Sequence, residues 1–73
     1  MPSAAKIYMV DCFFPEARRL DGFRRESFSV VASSDDEAIR EAETAALSKK
    51  PDHFHVRSVT SKGDQVFYRS QDA

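Results

Sequence analysis

His53 and His55 stand two residues apart. On an extended strand that spacing puts both imidazoles on one face, where they could converge on a single metal ion. No third and fourth ligand is obvious nearby, so the pair reads as two strand histidines and no metal or other cofactor is expected. Cys12 is the only cysteine. A reactive thiol needs an electropositive, accessible setting, and Cys12 lies between Val10 and Phe14 with neither, so it reads as a small core residue. The two glycines, Gly22 and Gly63, both fall in turn contexts, which leaves no glycine-rich loop to cradle a phosphate. Serine, histidine and aspartate are present without a motif that would join them as nucleophile and base. A chain this short also has little room for a water-excluding pocket, so neither catalysis nor a small-molecule substrate is expected.

The arginines are the densest chemistry in the chain. Arg18, Arg19, Arg24 and Arg25 bracket Asp21-Gly22. If that pair turns a hairpin, four guanidiniums project from one two-stranded ribbon, a shape that can enter a nucleic-acid groove or follow phosphates. Arg57, with His53 and His55 on the sheet, would extend such a surface. Glu16, Asp21 and Glu26 interleave with the arginines, and the alternative is that these acids pair with them as ordinary surface ion pairs. The whole chain carries 11 Lys and Arg against 12 Asp and Glu, a formal charge of −1, so no bulk excess draws it to nucleic acid or to an anionic membrane.

These side chains must be positioned by a single small domain spanning 1–73, with an ordered core of about 6–69 and loose ends. The chain is 41% hydrophobic and 32% charged, a composition that folds and is unlike that of disordered segments. Residues 6–14 are apolar, aromatic and β-branched and stop at Pro15, which predicts a strand. Asp21-Gly22 between Leu20 and Phe23 predicts a type I′ turn. Residues 24–32 alternate, with Phe28, Val30 and Ala32 on one face. Ser34 and Glu37 have capping-box spacing, in which Glu37 reaches back to the cap. Ala38, Ile39, Ala42, Ala45 and Ala46 then form a narrow helical stripe, and Pro51 ends the helix. Residues 53–60 and 65–69 predict two more strands joined by Ser61-Lys62-Gly63-Asp64, followed by a loose tail from Ser70.

The fold class that follows is α+β: a two-layer ββαββ domain whose four-stranded, mainly antiparallel sheet carries one helix packed on one face. A crossover that skips the first strand gives the order 2-1-3-4. That element order excludes a double-stranded-RNA-binding domain, which begins and ends with a helix. Tyr8, Val10, Cys12 and Phe14 are assigned to the helix-covered face. Ile7, Met9 and Phe13 are then left on the other, with Val31, Val59 and either Phe67 or Val66 with Tyr68. One helix cannot cover both faces, and an apolar patch of this kind marks a contact surface. The expected role is a non-catalytic interaction module that meets itself, as a homodimer, or another protein through Ile7, Met9, Phe13, Val31 and Val59. The alternative is nucleic-acid binding through Arg18, Arg19, Arg24, Arg25 and Arg57. A single cysteine, no leader-like apolar run after Met1 and no stretch long enough to span a membrane point to a cytoplasmic protein without a membrane partner.

Overall fold

A computed structural model describes residues 5–72. The expected loose N-terminus before Ala5, and Ala73, lie outside the described residues. The elements follow in the order β1 (Lys6–Pro15), β2 (Phe23–Ala32), α1 (Asp35–Lys49), β3 (His53–Thr60), β4 (Gly63–Arg69) and a 3-10 turn, Ser70–Asp72. The sheet runs β2-β1-β3-β4 with every neighbouring pair antiparallel, and α1 covers one face. No helix among the described residues is long and apolar enough to cross a membrane.

Alternation along β1 sends Tyr8, Val10 and Cys12 beneath the helix, where they are fully buried with Val56, Ala38 and Ala42. Phe54 and Ala32 complete this core, and Phe14, Phe28, Val30, Ala46, Phe67 and Tyr68 pack around it. Two alanines form the floor of α1, and their small side chains let the helix backbone approach the sheet. Ser34 caps the helix in an extended conformation and its hydroxyl accepts the Glu37 amide at 3.2 Å. Glu37 reaches back one residue further than a standard capping box, accepting from the backbone and hydroxyl of Ser33 rather than from Ser34. At the other end Lys50 takes the left-handed conformation at φ 53° and its amide returns to the Ala46 carbonyl at 2.7 Å. The Asp52 amide then donates to the Phe13 carbonyl at 2.8 Å, tying the helix exit to the end of β1.

The bonds from Ser33, first its hydroxyl and then its amide, hold the Glu37 carboxyl below its usual range. A carboxyl whose folded-state pKa is depressed contributes stability that is present above the unfolded pKa and lost as pH falls through the folded value. The melting temperature of the wild type is therefore expected to fall as pH drops below about 5. Glu37→Gln should show a shallower acid limb. Part of the slope should survive in the variant, because Arg24 likewise lowers Glu26. Matching slopes in a pH series of thermal melts would show that the cap carboxylate is not involved.

Three local features depart from the sequence reading. The β1–β2 connection is not a type I′ turn: Lys50 is the sole non-glycine at positive φ among the described residues, so Asp21 does not adopt the conformation that turn demands. Two successive turns run instead through residues 16–22, closed by Arg19 N–H to the Glu16 carbonyl and Gly22 N–H to the Arg19 carbonyl, both at 3.1 Å. Gly22 alone takes the left-handed step, at φ 80°. Second, β4 starts at Gly63, which pairs with Thr60, so the connecting loop shrinks to Ser61-Lys62. Third, the tail is not loose as far as Asp72: it forms the 3-10 turn, and the Ser70 hydroxyl accepts the Phe54 amide at 2.8 Å.

A bulge decides the inward set on β4. Val56 pairs with Tyr68 and Arg57 with Val66, which leaves Phe67 as the extra residue. Phe67 and Tyr68 therefore both lie on the helix side, Phe67 edge-on to Tyr8 and Tyr68 against Phe54, each with ring centroids 5.7 Å apart. Strict alternation would have separated these two neighbours. Val66 is what remains for the open face.

Candidate interaction face

Register builds the face that α1 leaves uncovered. Along β1 it carries Ile7, Met9, Asp11 and Phe13, flanked on β2 by Val31, Ser29, Ser27 and Arg25 and on β3 by Arg57, His55 and His53. These residues sort into three bands. At one end Ile7 and Val31 pair across strands, 55% and 65% exposed, with Val59 39% exposed on the far side of β1. Met9 lies next, half-buried between Ser29 and Arg57.

The middle band is ionic. Asp11 is only 5% exposed. Its carboxylate accepts the Ser27 hydroxyl at 2.5 Å and Arg57 Nε and Nη2 at 3.0 and 3.4 Å. Arg57 also bonds Asp64 on β4. The hydrogen bond to Asp11, with the charges of Asp11 and Asp64, holds the guanidinium above its ordinary pKa against the opposing effect of burial. Four groups from four strands are thus joined in one network that carries two carboxylates and one guanidinium.

The third band is aromatic. The His53 ring stacks on Phe13 at 4.7 Å, His55 tilts against Phe13 at 4.9 Å, and Phe23 meets His53 edge-on at 5.0 Å. Each imidazole has one nitrogen engaged, His53 Nδ1 with Asp52 at 2.8 Å and His55 Nε2 with Gln71 at 3.2 Å. Both histidines share one face, as their spacing predicts, and it points away from the helix because Phe54 and Val56 take the core side. Among the described residues no group of three or more His, Cys, Asp or Glu is placed to hold a metal ion.

The expected contiguous patch is therefore divided. Ile7 and Val31 stay paired with Met9 beside them, Val59 stands across the gap where β1 and β3 part, and the Asp11–Arg57 band separates Phe13, which joins the histidines. The arginines do not gather either. Arg18 and Arg19 lie in the connecting loop, and Arg19 pairs with Glu16 at 2.8 Å. Arg24 lies over the Phe14 ring, 4.9 Å from its centroid, and pairs with Glu26 on its own strand, whereas Arg25 opposes Phe13 on the open face. Alternation at 24 and 25 sends neighbouring arginines to opposite sides of the sheet. Arg57 is committed to Asp11 and Asp64.

A cleft of about 610 Å³ opens where β1 and β3 part beyond the Tyr8–Ser58 pair, lined by Lys6, Ile7, Tyr8, Asp35 and Ser58 to Thr60 with Ala5. Within it the Tyr8 hydroxyl donates to Asp35 at 2.8 Å. Burial, with Asp35 beside it, raises the phenol above its usual pKa and keeps it protonated.

Cys12 is buried, and desolvation pushes its thiol up despite the opposing charge of Lys49. The thiolate is the reactive species. Cys12 is expected to resist iodoacetamide in the native protein and to label readily in denaturant, as read by intact mass. Rapid native labelling would place the thiol at an accessible site.

The sequence reading missed the ionic band and the aromatic cluster. Asp11 within an apolar strand was the one available sign of the first. No protein-family model, curated protein or solved structure matches this chain.

Proposed function

We propose that this chain is a non-catalytic interaction module whose uncovered sheet face packs against a second copy of itself. The observation that carries the reading is the exposure of Ile7 and Val31, paired across strands, with Val59 across the cleft from them, at the end of the sheet face that α1 leaves uncovered. Grouped aliphatic side chains in water favour association through the area they bury. Charge supports a second copy as the occupant. The central carboxylate Asp11 is already paired with Arg57, so the face meets its copy with less uncompensated charge than the helix would, which carries five of the acids between Asp35 and Glu43. A domain of this size also has a thin core, and self-association is one way to supplement it. The lone buried thiol supports a reducing, cytoplasmic setting.

Light scattering on a sizing column tests the contact. The wild type is expected at twice the chain mass of 8.3 kDa or a higher even multiple. Ile7→Asp and Val59→Asp should shift the mass toward the single chain while circular dichroism stays unchanged. A mass unaffected by both substitutions would sink the reading. The competing reading, nucleic-acid binding by the arginine hairpin, draws less support, since Arg19, Arg24 and Arg57 are engaged with acids and Arg24 and Arg25 point to opposite faces. Its mark would be oligonucleotide retention that weakens steeply with salt.

A further inference from the structure

We infer that the outer edge of β2 pairs antiparallel with the same edge of a second copy, centred on Ser29, joining two four-stranded sheets into one of eight strands. Among the described residues β2 has a neighbour on one side only, β1, and its ten register pairs from Phe23 to Ala32 run without a shift. The groups of its backbone that point away from β1 form a row that an extended chain can match, and natural edges are usually blunted against this. β2 has no proline, lysine or bulge, and on the open face its middle holds only the small side chains of Ser27 and Ser29. The opposite edge differs, because β4 is shorter and bulged at Phe67.

Charge selects the occupant and its direction. Arg24, Arg25 and Glu26, with Arg24 bonded to Glu26, leave a net positive charge at the start of β2, and Asp35 and Asp36 stand just past its end, where α1 begins. An edge with opposite charges at its two ends is complementary to its own antiparallel copy and repels a parallel one. Centring on Ser29 keeps each side chain on its proper face and sets Phe28 against Val30 of the second copy, extending the helix-side core across the join. Arg25 and Arg24 then lie opposite Ser33 and Ser34 of the second copy, next to its Asp35 and Asp36. A pairing centred on Arg25 or Glu26 would instead place that charge against itself. This contact is independent of the open-face contact, and it would make two open faces continuous.

A charge swap tests it. One chain carries Arg24→Glu and Arg25→Glu, the other Asp35→Arg and Asp36→Arg, and native mass spectrometry separates the species by mass. Alone, each variant is expected to lose edge pairing, with its dissociation constant raised at least about tenfold by like charges meeting at both ends. Mixed, the two should form a 1:1 heterodimer well above the statistical half, because both ends are then complementary. The preference should persist with Ile7→Asp in both chains, which removes the face contact, and should weaken with salt. Statistical mixing, self-association of either variant equal to wild type, or an absence of dimer in the wild type would each overturn the inference. Should a charge variant fail to fold, Ser29→Lys on the exposed edge gives the second reading: it should weaken wild-type edge pairing, and no effect would also overturn it. Failure of the open-face contact registers separately, as an Ile7→Asp mass equal to wild type.

Discussion

Arg57→Leu is expected to lower the free energy of unfolding by about 3 kcal/mol, the cost of stranding a buried carboxylate. In a domain of this length that corresponds to a fall in melting temperature of roughly 12–24 °C. Asp11 lies in the middle of the central strand, 5% exposed, and two of its three hydrogen bonds come from Arg57. Without the guanidinium it keeps one hydroxyl partner and is left as an unpaired buried carboxylate. Asp11→Asn should cost less, because Arg57 is itself 25% exposed and retains Asp64. The double variant Asp11→Leu with Arg57→Leu should recover to within about 1 kcal/mol of wild type, since a buried ion pair and an apolar pair of similar volume are often close in energy. Urea unfolding would measure all three. A single Arg57→Leu cost below about 1 kcal/mol would mean that water already reaches the carboxylate.

Tyr8→Ala is expected to cost about 4 kcal/mol, enough to threaten folding in so small a domain. Tyr8 is the largest fully buried side chain, and its ring fills the space between α1 and the bulged Phe67. Tyr8→Phe separates the ring from its hydroxyl. It should cost only about 1 kcal/mol, because Asp35 is exposed and can exchange its lost partner for water. The two substitutions also differ from wild type in base. The phenol pKa is raised in the fold, first by burial and then by Asp35, so the folded state favours the protonated form. Stability from this group is complete below the unfolded pKa and is lost as pH rises through the folded value. Wild type should therefore lose stability above about pH 10 by a route that Tyr8→Phe does not share. Parallel alkaline profiles in thermal melts would remove this account.

Much of the architecture was legible because local signals agreed. Ser34 and Glu37 marked where α1 starts, Pro51 marked its end, and the alternation in β1 and β2 named the buried set. With one helix between two hairpins, the order β2-β1-β3-β4 follows from a crossover that skips β1. The features that escaped depend on pairing register. Val66, Phe67 and Tyr68 are all apolar or aromatic, so nothing in their types showed that Phe67 would be the extra residue. Asp21-Gly22 has the composition of a tight turn, but β1–β2 pairing stops at Pro15 and Phe23, leaving seven residues to span. Asp11 and Arg57 are 46 positions apart, and only the register of β1 on β3 brings them together. The same register places Phe13 opposite His53 and so assembles the ring cluster.

The joins within the sheet differ in length, and this shapes how the molecule would open. β1 and β2 zip from Lys6 to Pro15, whereas β1 and β3 meet only from Tyr8 to Phe13. The domain is thus two hairpins held along a short central seam, bridged by α1 and riveted by the Asp11–Arg57 pair. Partial unfolding would release a whole hairpin, β3 with β4, before any single strand frays away, since each hairpin closes a short loop of its own while the seam must span the helix. The half-open state bares Val10, Val56 and Phe54 together, and its two freed strand edges can accept the matching hairpin of another molecule. Exchange of hairpins between copies is the misassembly this topology invites.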